Sequence, residues 1–180
     1  MVKKIAIIGP ESTGKSTLSE QLASHYRSLW VPEFAREYLL KHGTSYTYDS
    51  LLDIAKGQLA LEDAYIEATE RAFEKNKSPY LFIDTEMRVM KVWCEFVYGK
   101  CHQWILDRIR ERRYDLYLLC NTDLPWTPDP LREYPDPEPR NELFSIYHSL
   151  LSEQSTPWVI ISGDYEERLQ SAISAVNIYL

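Results

Sequence analysis

Lys4-Ile5-Ala6-Ile7-Ile8-Gly9-Pro10-Glu11-Ser12-Thr13-Gly14-Lys15-Ser16-Thr17 joins a short apolar run to a glycine-bounded loop and then to a segment of helical period. From Gly9 to Ser16 the spacing is GxxxxGK[ST]. Its place after a predicted strand and before a predicted helix, Ser16 to His25, makes it a phosphate loop rather than a chance glycine turn. Gly9 and Gly14 let the backbone wrap close to an anion, so that the N–H groups of Glu11, Ser12, Thr13 and Thr17 and the helix N-terminus face negative charge. Lys15 is placed to bridge the β and γ phosphates of a nucleotide, and the Ser16 hydroxyl to bind magnesium. ATP with Mg2+ is the expected cofactor pair.

Working outward, short runs rich in Ile, Val, Tyr and Leu alternate with longer segments of helical period. A parallel sheet covered by crossover helices has this pattern. Five strands are predicted, over 4–8, 29–33, 80–84, 115–120 and 158–162. A long helix is expected over 49–74, where Leu52, Ala55, Leu59, Glu62 and Tyr65 fall three or four apart and face a core or a partner. Another helical region, 86–113, is expected to break near Tyr98-Gly99-Lys100. The fold class is α/β: a three-layer P-loop fold with a five-stranded parallel sheet and a lid loop, as one domain over 1–180.

The lid is the stretch 123–140. Six prolines at 125, 128, 130, 135, 137 and 139 exclude a regular helix or central strand between Asp123 and Pro139. A loop of that length in a compact domain is commonly a cover over a site. Arg132 and Arg140 lie in or beside it. Arginines above bound phosphates neutralise charge developing in transfer and help exclude water, which would otherwise take the phosphoryl group.

Carboxylates end two predicted strands. Asp84 closes Tyr80-Leu81-Phe82-Ile83 and reads as the acid that serves magnesium or orients the acceptor, with a helix N-cap as the bland alternative. Glu33 ends the second strand, with Arg36 one helical turn on; Glu33 is a candidate general base or hydroxyl ligand, and Arg36 a candidate substrate ligand. The sequence leaves the choice of base between Glu33 and Asp84 open. After the last strand, Ser162-Gly163-Asp164-Tyr165 is either a turn that seats adenine, with Gly163 and Tyr165 against the base, or an ordinary turn capped by Asp164.

Composition narrows the function classes. At 180 residues, 44% hydrophobic and 13% aromatic, the chain can bury one substantial core. A formal net charge of −7 with both signs interspersed argues against a nucleic-acid surface, and the cluster 108–113 reads as a solvated helix face. Cys94, Cys101 and Cys120 are scattered and are expected to be packing residues in a reducing compartment. With neither a signal-peptide pattern nor a membrane-length apolar run in the sequence, a cytoplasmic location is expected, and self-association is left open.

With these residues assembled, the chain resembles the ribosylnicotinamide kinase domain of the NadR family, a branch of the AAA-type P-loop proteins. The resemblance is carried by GPESTGKSTL at 9–18, VPEFAREYL at 31–39, FIDTE at 82–86, DLYLLCNTDLPWTPDPLRE at 115–133 and SGDYEERL at 162–169. It implies phosphorylation of nicotinamide riboside to nicotinamide mononucleotide. Lys15 and Ser16 would serve ATP and magnesium, Asp84 the metal or acceptor, Glu33 and Arg36 the acceptor pocket, and Arg132 the lid. The DNA-binding and nucleotidylyltransferase modules of the bacterial regulators have no counterpart in the sequence, so the resemblance bears on the kinase alone. The lid is richer in proline than the family pattern. The cationic pyridinium of such an acceptor would suit aromatic partners. Of the candidates, Tyr98 is an open choice, Trp93 is expected in the core, and Trp126 is expected to meet the ligand. A kinase for another nucleoside or small metabolite is one rival; the other is a regulatory nucleotide switch that binds partners through the 49–74 helix.

Overall fold

The computed structural model describes residues 1–72 and 79–180. Strands β1 (Lys3–Ile8), β2 (Leu29–Val31), β3 (Tyr80–Asp84), β4 (Leu116–Cys120) and β5 (Trp158–Ile161) form one sheet in the order β2-β3-β1-β4-β5. Every pairing is parallel. Each predicted strand is present: 80–84 has the expected ends, and the other four differ at one end by a residue or two. β2 stops at Val31 because Pro32 has no N–H to continue the ladder.

Alternation along the strands builds a core on each face of the sheet. Ile5 and Ile7 of β1 point to one side, with Phe82, Leu116 and Leu118, under helices α1 (Lys15–Tyr26) and α7 (Tyr165–Tyr179). Ala6 and Ile8 point to the other, with Ile83, Leu119 and Tyr147, beneath α3 (Tyr48–Ala72), α4 (Met87–Tyr98) and α6 (Pro137–Ser152). A third cluster joins α2 (Phe34–His42), α3, α4 and α5 (Gln103–Glu111) through Ala35, Ile54, Met90 and Ile105. The helical region 86–113 breaks where expected, at Gly99, which caps α4 at a φ of 66°. The buried stripe of α3 is Leu51, Ile54, Ala55, Gln58, Leu59 and Glu62, and it faces the molecule's own core. Glu74, the expected end of that helix, lies outside the described residues.

One expectation about the lid needs correction. Pro137 and Pro139, placed in the loop, begin helix α6. Proline in a first turn costs nothing, since those N–H groups have no intrahelical acceptor and its φ is already helical. The lid proper is therefore 123–136, and Arg140 belongs to a helix. Among the described residues no helix is long and apolar enough to cross a membrane.

Candidate active site

The phosphate loop leaves β1 between β3 and β4, with Ile7 opposite Asp84 and Ile8 opposite Leu119. Gly9 turns at a φ of 142°, and a Cβ there would stand 2.7 Å from the Cys120 carbonyl oxygen, so the close passage over β4 requires glycine. Gly14 and Ser12 take positive φ as well, at 77° and 56°. The loop is braced internally: the Thr13 hydroxyl donates to the Pro10 carbonyl at 2.7 Å, and Lys15 Nζ donates to the same oxygen at 2.8 Å. A glycine-bounded loop opening on the N-terminus of α1, with an ammonium beside it, has the features that suit an anion.

Asp84 ends β3 fully buried beneath the loop, where Ser16 Oγ donates to its Oδ2 at 2.5 Å. Its other oxygen, Oδ1, is buried with no hydrogen-bond partner among the described residues. Burial, and next the charge of Glu33, push this carboxyl up to about 7. A buried carboxylate oxygen without a partner beside an exposed hydroxyl supplies the hard oxygen donors that magnesium takes, so these residues fit the ion. The N-cap alternative for Asp84 falls: helix α4 is capped by Glu86, whose side chain accepts the Arg88 N–H at 2.8 Å. Between the two acids Thr85 sits at a φ of 74°, a left-handed conformation that is an outlier for a β-branched residue and marks local strain.

Glu33 is the N-cap residue of α2 but makes no side-chain cap, and its carboxylate stays available, with only a long 3.5 Å contact from the Thr85 hydroxyl among the described residues. A cavity of about 330 Å³ connects the groups. Residues 9–17 of the phosphate loop form one end. Glu33 and Arg36 line the flank, Arg132 and Glu133 the lid side, and Trp30, Trp93, Phe96, Tyr134 and Tyr147 the apolar walls.

Lid and loop are tied directly. Ser12 Oγ accepts from the Thr127 N–H at 3.0 Å and from Arg132 Nη1 at 3.3 Å, while Arg132 also donates to the Thr127 carbonyl. The Glu11 carboxylate accepts from the backbone N–H of Glu133 at 2.9 Å and of Tyr134 at 3.2 Å. Arg36 pairs with lid Asp129 at 2.9 Å. The Leu131 N–H, and next Arg36, hold the Asp129 carboxyl below its ordinary value. Farther along, Tyr46 donates to Glu133 at 2.8 Å and accepts from Trp93 Nε1 at 2.9 Å.

The geometry revises several sequence-based placements. Trp126 lies outside the cavity: its ring is flanked by the guanidinium groups of Arg132 and Arg140, 5.8 and 5.5 Å from its centroid. Trp93 packs against the third core cluster, as expected, and one face of it also stands on the cavity wall. Arg140 is buried away from the cavity, donating to the carbonyls of Ser12 and Leu124. Burial, and next the charge of Arg132, push its guanidinium below the ordinary value. Gly163 does not line the cavity either; its N–H donates to Asp123 at 2.6 Å, and Asp164 with Glu167 forms a capping box for α7. Tyr165, exposed beside Gly14, does line it.

Two supporting residues escaped the sequence reading. Arg168 is 2% exposed and donates to the carbonyls of Gly163, Thr13 and Asn121 and to the Asp123 carboxylate, binding the loop to the ends of β4 and β5. Gln58 is buried on α3, and only its polarity within an apolar stripe signals it.

Comparison with known proteins gives the following. Residues 4–168 match the family model described as AAA domain. The trifunctional NAD biosynthesis/regulator protein NadR of Escherichia coli (strain K12) is 27% identical over 181 residues, spanning 98% of this chain and 42% of the relative. The chain thus spans well under half of the curated relative it matches. A crystal structure of NadR protein in complex with NR superposes with a TM-score of 0.74 at 23% identity, covering 99% of this chain and 49% of that one. Thymidylate kinase from Ehrlichia chaffeensis superposes with a TM-score of 0.69 at 13% identity, covering 99% of both chains.

Proposed function

The chain belongs to the AAA domain family, and on that premise we propose that it transfers the γ-phosphoryl group of ATP to a hydroxyl of a nucleoside, with nicotinamide riboside as the favoured acceptor. One observation carries the reading: a single cavity runs from Lys15 and Ser16 to the uncapped carboxylate of Glu33 and on to aromatic walls. That is the layout of a donor site continuous with an acceptor site. A nucleotide switch needs no such second compartment, and the apolar face of α3, its expected partner surface, is spent on the molecule's own core.

Within this reading the phosphate-loop N–H groups and Lys15 hold the triphosphate, and Arg132 faces the transferring group from the lid. Magnesium, held by Ser16 and Asp84, would neutralise phosphate charge when bound. Glu33 faces the cavity and takes the acceptor proton, whereas Asp84 lies beneath Ser16 and off the cavity wall. The acceptor end holds Glu33 and Glu133 among Trp30, Trp93 and Tyr134, a carboxylate and aromatic surround that suits a cationic ring. The sequence similarity to NadR over nearly the whole chain, together with a solved NadR structure in complex with NR, supports this choice of acceptor.

The test is ATP consumption with magnesium, with and without nicotinamide riboside, following nicotinamide mononucleotide by mass. The expected result is product stoichiometric with ATP consumed, and Glu33→Gln should cut turnover far more than ATP affinity. ATP binding without any effect of the riboside would remove that acceptor and leave other nucleosides to be tried. Unchanged turnover in Glu33→Gln would pass the base role to Asp84.

A further inference from the structure

Strand pairing between β2 and β3 ends at Val31 opposite Ile83. The next rung would join Pro32 to Asp84, and proline cannot supply the N–H. The two candidate carboxylates, Glu33 and Asp84, therefore project from chain ends that the ladder no longer ties together. Gln58 closes this gap from α3. It is 1% exposed. Its Nε2 donates to the Pro32 carbonyl at 3.3 Å and to the Asp84 carbonyl at 3.4 Å, while its Oε1 accepts the Phe34 N–H at 2.7 Å. One amide thus grips the residues on both sides of Glu33 together with the backbone of Asp84.

The preceding residue shows that the fit is built. A Cβ on Gly57 would stand 2.1 Å from the Phe34 ring, so the bare helix backbone at that point lets Phe34 approach and brings its N–H to Gln58. Deleting the amide leaves the Phe34 N–H and two carbonyls without that partner, on a buried stripe whose nearest other members are the apolar Ile54, Ala55 and Leu59.

We propose that Gln58 is a positioning residue that replaces the missing β2–β3 rung and fixes the separation of Glu33 from Asp84, a role that rests on the kinase reading of those two carboxylates. It does not line the cavity, and its three bonds go to backbone, so it acts through Glu33 rather than on the substrate.

The test substitutes Gln58→Met, which conserves volume, and Gln58→Asn, which keeps the amide but withdraws it by one methylene. Turnover at saturating ATP and nucleoside should fall about 10- to 100-fold, as ångström-scale misplacement of a reacting group does. Affinity for a non-hydrolysable ATP analogue, measured by calorimetry, should stay within about twofold, since Gln58 touches no part of the phosphate loop. In a Glu33→Gln background the Gln58 substitutions should cost little more, because both act through one group. In a crystal structure of the Gln58→Met variant the Glu33 carboxylate should be displaced relative to Asp84. A variant that only melts earlier, with turnover per folded molecule unchanged and Glu33 in place, would reduce Gln58 to a core amide and overturn the proposal. If the wild-type chain phosphorylates no nucleoside, the kinase reading fails on its own, and Gln58 is then judged by whether Glu33 moves.

Discussion

Asp84 carries the largest electrostatic liability in the site. Its carboxyl is fully buried and pushed up to about 7, first by burial and then by the charge of Glu33, whereas in an unfolded chain it would titrate near its ordinary 3.8. Between those two values the folded state binds the extra proton. The stability this group contributes is therefore fully present below about pH 4 and is lost as pH rises through about 7. Glu86, buried two residues on and also pushed up to about 7, acts in the same direction. In the ligand-free protein Asp84→Asn should accordingly raise the melting temperature by several degrees at pH 8, where roughly 1 kcal/mol moves a domain of this size about 2–4 °C. The gain should shrink toward pH 5. Thermal melts of both proteins across that range check this, and a gain independent of pH would mean that Asp84 binds no extra proton in the folded state, so that burial does not raise its carboxyl.

At the scale of elements, the lid is fastened to the loop it covers. Glu11 of the phosphate loop caps the N–H groups of Glu133 and Tyr134, and Arg36 of α2 reaches Asp129. Glu11→Ala removes the first fastening without touching Lys15 or Ser16. Water should then enter more readily, raising acceptor-independent ATP hydrolysis several-fold relative to transfer. Phosphate release without nucleoside, set against product formed with it, measures this ratio; an unchanged ratio would mean that Glu11 does not govern closure. The sequence shows the proline-rich loop but not its end. Proline looks the same in a loop and in a first helical turn, and only the three- and four-residue spacing of Arg140, Leu143, Tyr147 and Leu151 separates the two. The strands and the phosphate loop are legible because their signals are local. The surroundings of Trp93 and Trp126 are not legible because neither signal is local: the bond from Trp93 to Tyr46 spans 47 residues, and the Trp126 ring is covered by arginines from two different segments. Gln58 is illegible for the same reason, its partners lying 24 to 26 residues away, just past β2, at the start of α2 and at the end of β3.

At the scale of the whole molecule, the order β2-β3-β1-β4-β5 sets β1 at the centre, where crossovers leave toward both sides and the carboxyl ends of the strands open a crevice. Residues from 9 to 165 meet there, so ligands bridge segments that unfolding would separate. ATP with magnesium at about a hundred times its dissociation constant should add roughly 2.7 kcal/mol to stability, which for this size is about 5–10 °C in melting temperature. A nucleoside acceptor should add a further shift, because Trp30, Glu33 and Arg36 from the β2–α2 end are joined through the ligand to Phe96 of α4 and Tyr134 of the lid. Lys15→Ala separates folding from binding: Lys15 is partly exposed and bonded only to a carbonyl of its own loop, so the variant should melt close to the wild-type temperature when free of ligand. It should lose most of the nucleotide shift and all phosphoryl transfer, because the charge that meets the β and γ phosphates is gone. An equal nucleotide shift in the Lys15→Ala protein would place the triphosphate away from residues 9–17, and the donor half of the proposed site would have to be sought elsewhere in the crevice.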